Sequence, residues 1–288
     1  MKQPKFPKIG LALGSGSAKG FAHVGVIRTL EKHNIPIDYI AGSSVGAFIG
    51  AHYAVHKNIN QVEDIIFNFD RKQGVRLIDW TIKGGLLKGK KMEEFISDAL
   101  ETDDFAQTQI PFTAVATDVH TAEAVILHKG NLPKAIRASI SIPAFFQPIH
   151  IGKRILADGG LSNPVPVDVT KSMGADITIA VNLDAIYTEN GIPSAPSLAK
   201  VPAHSINVLR HNLAKQSVKT ADVIISPNDT FHIGIIGWGY FIDSEKAKEI
   251  IKMGEDAAEA AIPQIKNAIE GFSKPQSRWK MLKTFLRL

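Results

Sequence analysis

The stretch Asp38-Tyr-Ile-Ala-Gly-Ser-Ser-Val-Gly46 decides the fold of this chain. A short apolar run leads into Gly42-Ser43-Ser44-Val45-Gly46, which has the pattern G-x-S-x-G, and a helix-like stretch follows. A strand, a sharp turn and a helix in this order form the context of a nucleophile elbow. Gly42 and Gly46 would spare the strained turn a side-chain clash. The pattern predicts Ser44 at the edge of a sheet, and an ordinary glycine-rich turn is the alternative.

A second glycine-rich turn lies upstream of the elbow. Lys8-Ile-Gly-Leu-Ala-Leu13 is typical of a buried strand, and Gly14-Ser-Gly-Ser-Ala-Lys-Gly20 follows it before a helical stretch over 21–33. Backbone N–H groups at such a turn suit an anion, either a phosphate or the oxyanion of acyl transfer. Lys19 occupies a position where a dinucleotide-binding fingerprint needs glycine. With an elbow serine on the next strand, the oxyanion is the better interpretation.

A third turn supplies a carboxylate. Arg154-Ile-Leu-Ala157 indicates a short strand, and Asp158-Gly159-Gly160 ends it. Alone, Asp-Gly-Gly is typical of a simple turn. The two earlier turns lie at the carboxyl ends of strands, which in a parallel sheet share one edge, where ligands bind. As a carboxylate at the end of another strand, Asp158 is a candidate partner for Ser44.

These motifs together resemble the patatin-like phospholipase family. The resemblance runs from about Lys8 to Pro166. It also includes Arg137-Ala-Ser-Ile-Ser-Ile-Pro-Ala-Phe-Phe-Gln-Pro148 and Asn163-Pro-Val-Pro166. One departure is visible, since plant members carry three glycines where this chain has Ser15-Gly16-Ser17.

The resemblance implies a three-layer α/β fold, with a mainly parallel sheet between helices, and a Ser–Asp dyad acting on lipid esters. Ser44 would be the nucleophile and Asp158 the base. Gly159 and Gly160 would complete the Asp-Gly-Gly motif. The oxyanion hole would lie in the loop of Gly14, Ser15, Gly16 and Ser17, with donors around Gly16 and Ser17. No metal and no cofactor are implied. A free aspartate is a weak base, and burial beside an apolar wall would raise its pKa.

Composition and charge limit the classes of protein to which this chain can belong. The chain has 288 residues, 44% of them apolar, and a formal net charge of +5. The absence of cysteine excludes disulfides and thiol catalysis. No pattern predicts nucleic-acid binding. The N-terminus lacks a signal-peptide core, and no run of 18 apolar residues occurs. The expected location is cytoplasmic, and a peripheral position at the inner membrane surface is the alternative.

Apolar runs and amphipathic stretches alternate along the chain, which predicts a mainly parallel sheet covered on both faces. Strands are predicted near 8–13, 37–41, 111–117, 122–127, 153–157, 176–182 and 222–226. Helices are predicted near 19–33, 45–56, 60–69, 90–100, 132–138, 164–172, 203–219 and 244–270. Residues 188–202 are expected to form a loop. Trp80–Gly89 is expected to be either a lipid-facing flap or a loop packed on the body. A catalytic domain over 1–271, with its motifs in 8–166, would precede a basic amphipathic tail over 272–288.

The tail carries its own prediction. On a helix, Trp, Met, Phe and Leu side chains of residues 279–288 would share one half, opposite lysine and arginine. Such a helix over 278–288 would contact an anionic membrane. The alternative is a terminal helix docked on the protein or on a second subunit.

Two rival functions stay open at this point. One is an α/β-hydrolase esterase with a Ser-His-Asp triad, in which the histidine would be His204, His211 or His232. The other is a non-enzymatic module that binds an acyl chain or an anion. Neither the acyl length, the head group nor the oligomeric state follows from the sequence.

Overall fold

The computed structural model describes residues 6–186, 200–227 and 243–273. Within these ranges eight strands form one sheet: β1 (Ile9–Leu13), β2 (Tyr39–Ser43), β3 (Phe112–Asp118), β4 (Ala124–Leu127), β5 (Ile149–Ile151), β6 (Arg154–Asp158), β7 (Ile177–Val181) and β8 (Val223–Ile225). Their order is β5-β6-β3-β2-β1-β7-β8, and β4 also pairs with β3.

The centre of the sheet is parallel and one end is antiparallel. Strands β3, β2, β1, β7 and β8 run in the same direction, whereas β4 and β6 pair with β3 in the opposite direction. Parallel strands buried on both faces are almost continuously apolar, as in the fully buried β1 and β7. The predicted mainly parallel sheet is confirmed.

Helices cover both faces of the sheet. The described helices are α1 (Ala22–Lys32), α2 (Val45–His56), α3 (Ile59–Asn68), α4 (Arg71–Arg76), α5 (Lys90–Leu100), α6 (Leu132–Ser139), α7 (Val167–Ser172), α8 (Lys200–Ser217) and α9 (Ser244–Ser273). The larger core joins alternate side chains of β1 to α1, α2, α3, α5, α6 and α9. Smaller clusters pack α7 and α8 against the other face. The predicted α/β fold with helices on both faces is confirmed.

Most predicted elements are present, and the differences are confined to two short elements and to the ends of others. Helix α4 and strand β5 were not predicted, since each is short and lacks a clear apolar period. The helix predicted near 19–33 begins as a 3₁₀ helix over Ser17–Phe21 before α1. The helix predicted near 164–172 begins at Val167, because Pro164 and Pro166 hold the preceding backbone outside the helix. The loop predicted over 188–202 is wrong at its end, because α8 already begins at Lys200. The tail 278–288, His232 and residues 188–199 lie outside the described residues.

Segment 80–89 is attached at its base and exposed at its turn. Leu87 is buried, and its N–H donates to the carbonyl of Phe145 at 2.8 Å. Trp80 and Ile82 are exposed. The base therefore matches a loop packed on the body, whereas a lipid-facing role of the exposed turn stays a prediction.

Candidate active site

The elbow turn places Ser44 in a strained backbone conformation between β2 and α2. Its φ and ψ are 56° and −125°, outside the regions that non-glycine residues usually adopt. A Cβ on Gly46 would lie 2.3 Å from the carbonyl oxygen of Leu13, and one on Gly42 would lie 2.4 Å from that of Gly46. The two glycines thus permit the close approach of α2 to the strand ends.

Strand β3 brings Ser44 and Asp158 together. Along one edge of β3, Ser43 of β2 pairs with Val115, and Asp158 of β6 pairs with the next residue, Ala116. The carboxyl ends of β2 and β6 therefore meet head to head on the same edge. There the Ser44 hydroxyl donates to Asp158 Oδ2 at 2.7 Å.

The second carboxylate oxygen of Asp158 is also occupied. Asp158 Oδ1 accepts the N–H of Gly160 at 2.8 Å. Burial raises the pKa of Asp158 to about 6, although the hydrogen bonds from Ser44 and Gly160 and the charge of Arg210 act in the opposite direction. A carboxylate with such a pKa accepts a proton more readily at neutral pH than a free aspartate does.

Ser139 fixes the backbone of the elbow. The N–H of Ser44 donates to Ser139 Oγ at 2.9 Å, and the Ser139 hydroxyl donates to the carbonyl of Val115 at 2.6 Å. This fully buried serine thus links the elbow to β3. No local pattern singles it out, although it lies inside the stretch 137–148 that carries the family resemblance.

The four predicted loop residues divide into two pairs. The N–H of Gly14 donates to the carbonyl of Val181 at 3.1 Å, and that of Ser15 donates to Pro164 at 2.8 Å. These bonds hold the loop on β7 and on the segment after the Asp-Gly-Gly turn. Within the described residues no acceptor is bonded to the N–H groups of Gly16 and Ser17. Those two groups are therefore available to an anion.

Two contacts hold the loop in shape. A Cβ on Gly16 would lie 2.7 Å from Leu183 Cδ1, so the loop backbone packs directly on that side chain. His23 Nε2 lies 2.8 Å from the carbonyl oxygen of Gly14. Burial lowers the pKa of His23 to about 4, so the ring is neutral at pH 7 and donates this hydrogen bond.

An apolar cavity of about 150 Å³ opens beside the elbow. Ser44 and Ser17 line it together with aromatic and aliphatic side chains. Those from α2, α3, α5 and the segment after α6 are Val45, Phe48, Ile49, Ile65, Ile66, Met92, Phe95, Ile96, Ile140, Ile142 and Phe146, and Phe21, Phe69 and Leu77 complete the lining. A smaller pocket with polar groups on one side contains Asp158, Gly160 and Arg210 beside the same two serines, and apolar side chains complete its lining. The arrangement therefore joins a polar corner to an apolar wall.

An ion pair lies next to the smaller pocket and was not predicted. Arg210 donates to both carboxylate oxygens of Asp184, at 2.6 and 2.9 Å. His211 Nδ1 lies 2.6 Å from the carbonyl oxygen of Asp184. No sequence motif marks Arg210, because it belongs to an ordinary helix far along the chain from the three turns.

Among the described residues no group of three or more histidine, aspartate or glutamate side chains is arranged to hold a metal ion. None of the described helices is both long enough and apolar enough to cross a bilayer.

Comparisons with known proteins show which proteins this chain resembles. An NTE family protein of Mycobacterium tuberculosis is 38% identical over 179 residues, which are 62% of this chain and 49% of that protein. The chain thus spans about half the length of this relative. Patatin-like phospholipase domain-containing protein 7 of Rattus norvegicus is 34% identical over 182 residues, or 61% of this chain and 13% of that protein.

A solved structure, VipD from Legionella pneumophila, shares 12% identity with a TM-score of 0.49 over 93% of this chain and 67% of that one. The family model of patatin-like phospholipases matches residues 11–171, more than half of the chain. That range holds the glycine-rich loop, the elbow and the Asp-Gly-Gly turn, and this chain belongs to the patatin-like phospholipase family.

Proposed function

We propose that this protein is a serine hydrolase that cleaves carboxylic esters of phospholipids or lysophospholipids. Ser44 and Asp158 act as a catalytic dyad, and the loop at Gly16 and Ser17 binds the oxyanion. The observation that carries the proposal is the 2.7 Å hydrogen bond from the Ser44 hydroxyl to Asp158, made at the wall of an apolar cavity.

The first half of the reaction forms an acyl-enzyme. Asp158 takes the proton of Ser44 while Ser44 Oγ attacks the ester carbonyl carbon. The carbonyl oxygen becomes an oxyanion that accepts hydrogen bonds from Gly16 and Ser17, and one such donor lowers a barrier by roughly 3–4 kcal/mol. The tetrahedral intermediate collapses, and the leaving alcohol receives the proton from Asp158.

The second half returns the enzyme to its starting state. Water attacks the acyl carbon and gives a proton to Asp158, and a second oxyanion forms in the same place. Its collapse releases the fatty acid, and Ser44 regains its proton from Asp158. The apolar cavity would hold the acyl chain during both halves, because its lining offers mostly carbon atoms.

The direct bond between Ser44 and Asp158 favours a dyad over a Ser-His-Asp triad. In a triad the histidine stands between the serine and the carboxylate. Here both oxygens of Asp158 accept hydrogen bonds, from Ser44 and Gly160. His211 lies against Asp184 instead. His232 lies outside the described residues, so its part in a triad is left to mutation.

Membrane contact through residues 278–288 remains a proposal from sequence, as does a cytoplasmic location with peripheral attachment. The basic and apolar composition of these residues suits an anionic membrane surface. A truncated chain that ends at residue 277 tests this part separately from the chemistry.

Labelling with a fluorophosphonate tests the proposed chemistry. The reagent reacts with an activated serine and should label the wild-type protein but not Ser44→Ala. Ser43→Ala is the matched control, since Ser43 is the neighbouring buried serine and its hydroxyl has no hydrogen-bond partner among the described residues. Absence of labelling in a folded wild-type protein, together with no ester turnover, would favour the non-catalytic binding module.

A further inference from the structure

Residues 71–91, here called the basic apolar segment, hold an unusual concentration of positive charge. They contain seven lysine or arginine residues and one acidic residue, whereas the whole chain has a net charge of only +5. All seven cationic residues are exposed. Among the residues that the structure describes, this stretch is therefore a local surplus of positive charge on the surface.

The same segment exposes large apolar side chains. The exposed fractions are 59% for Val75, 69% for Trp80, 99% for Ile82 and 49% for Leu86. Single exposed apolar residues are ordinary, but a group within twelve residues marks an interaction surface. Trp80 pairs with Leu87 across the turn, so these side chains belong to one compact structure.

The segment is held firmly at its base. Arg137 is buried, and its guanidinium donates to the carbonyls of Lys88 and Gly89 at 2.9 and 2.8 Å. Asp79, the acidic residue of the segment, accepts the N–H groups of Gly89 and Lys90 at 2.8 and 2.7 Å. Its carboxylate thereby caps α5, and the exposed surface of the segment is cationic and apolar.

The inner side of the segment forms part of the cavity wall. Leu77 is buried and lines the cavity that also contains Ser44. Met92, directly after the segment, lines it too, as does Phe146, whose neighbour Phe145 accepts the N–H of Leu87. A surface bound to the outer side would therefore lie close to the cavity.

We propose that the basic apolar segment docks on the surface of anionic bilayers. Trp80, Ile82 and Leu86 enter the boundary between head groups and acyl chains, while the surrounding lysines contact anionic head groups. Trp is the residue most suited to this boundary because its ring is apolar and its N–H is polar. The use of the surface to supply substrate rests on the proposed function, whereas membrane binding does not.

Vesicle co-sedimentation with the full chain in the Ser44→Ala background tests the proposal without turnover. Binding is measured to vesicles of phosphatidylcholine alone and to vesicles of phosphatidylcholine and phosphatidylglycerol in equal amounts. The anionic vesicles should bind the protein better, and added salt should weaken binding because exposed charges are screened over about 8 Å. Equal binding to both vesicles, or none to either, would overturn the proposal.

Two double variants locate the surface. Lys83→Glu/Lys88→Glu and Trp80→Ser/Ile82→Ser should each weaken binding to anionic vesicles by at least about tenfold. The matched control Ile126→Ser/Lys129→Glu changes an exposed apolar and an exposed cationic residue on and beside β4 and should bind like the parent. If a double variant unfolds, Ile82→Ser alone, with a side chain almost wholly in solvent, replaces it.

Activity and truncation separate the remaining outcomes. With Ser44 intact, the segment variants should lose turnover of vesicle-embedded lipid but keep that of a small dissolved ester. Loss of vesicle binding on deletion of residues 278–288, with parental binding by both segment variants, would overturn the proposal and assign the contact to the tail. The proposal would also be overturned if the segment mediated only self-association. In that case the parent protein would form a dimer and bind no vesicles, and both double variants would abolish the dimer. Failure of labelling at Ser44 with vesicle binding intact would overturn the proposed function alone.

Discussion

The elbow and the basic apolar segment both line the apolar cavity, through Ser44 and Leu77, but their functional side chains differ in exposure. Ser44 and Asp158 are buried and hydrogen-bonded to each other. Trp80 and Ile82 instead leave most of their surface in solvent. The elbow holds reacting atoms at defined distances, whereas the basic apolar segment exposes apolar and cationic surface to the solvent.

The difference follows from what each task requires. Proton transfer depends on hydrogen-bond distances and on a dry environment that shifts the pKa of the base. At the elbow, a strained turn held by its neighbours places the nucleophile in that environment. Docking on a bilayer requires apolar area and positive charge, and it tolerates changes in their arrangement. Substitutions at the elbow should therefore affect every ester, while substitutions in residues 71–91 should affect only esters held in membranes.

Ser44→Ala gives the largest effect that the comparison predicts. Without its nucleophile the enzyme should lose on the order of 10⁴-fold or more in kcat on dissolved and on vesicle-embedded esters alike. Steady-state turnover with both substrates measures this, and an unchanged melting temperature shows that the protein is folded. Wild-type turnover by folded Ser44→Ala would end the hydrolase proposal.

Asp158→Asn should reduce turnover by roughly 10³–10⁴-fold, because the amide cannot accept the proton of Ser44. The same variant should be more stable than the wild type. The pKa of Asp158 is raised to about 6 in the folded protein from an ordinary value of 3.8, so its stabilising contribution at low pH is lost as pH rises through 6. At pH 8 a neutral side chain avoids that loss.

The expected gain at pH 8 is about 2–3 kcal/mol in the free energy of unfolding, since one pKa unit corresponds to 1.36 kcal/mol. Urea denaturation at pH 8 and at pH 4 measures it, and the gain should shrink at the lower pH, where Asp158 is protonated in the folded protein. A variant that is inactive and also less stable at pH 8 would show that the ionised carboxylate of Asp158 does not lower the free energy of unfolding.

Gly16→Val should reduce turnover by roughly 10²–10³-fold, the effect of losing one oxyanion donor. The added side chain would meet Leu183 and push the loop away from Ser44. Leu183→Ala in the same chain makes room for it and should restore part of the activity. Full activity in the folded single variant would place the oxyanion hole elsewhere.

The sequence predicted the elbow region better than the outer surface, for a physical reason. A strained turn admits few residue types, so Gly42 and Gly46 mark it locally, and the predicted helix 45–56 matches α2 to the residue. The meeting of Ser44 with Asp158 depends on the register of three strands, so the Asp-Gly-Gly turn made Asp158 only a candidate, and the resemblance to a family implied the dyad. Ser139 and Arg210 act through contacts made only in the fold. The sequence indicated residues 71–91 only in part, because α4 is too short to show a period.

The pH dependence of turnover is a smaller effect that tests the electrostatics of the buried corner. If Asp158 acts ionised, kcat/KM for a dissolved ester should fall about tenfold per unit as pH drops below about 6. Arg210→Met removes a charge that favours the ionised form and should move this limb to higher pH. Asp184→Asn/Arg210→Met removes both charges, whose effects on Asp158 oppose each other, and should return the limb toward its original position.

The smallest effect is expected at the histidines of the rival triad. His204→Ala, His211→Ala and His232→Ala should each change turnover of a dissolved ester by less than about threefold, as substitutions away from a site usually do. The reason is that the Ser44 hydroxyl already donates its hydrogen bond directly to Asp158, and His211 bonds to the backbone of Asp184. Each variant is compared with the wild type at pH 8, where Asp158 is ionised. A loss of turnover in any one of them as large as that of Ser44→Ala would replace the dyad with a triad. A triad places its histidine between the serine and the carboxylate, so the direct hydrogen bond between Ser44 and Asp158 would then have to break during catalysis.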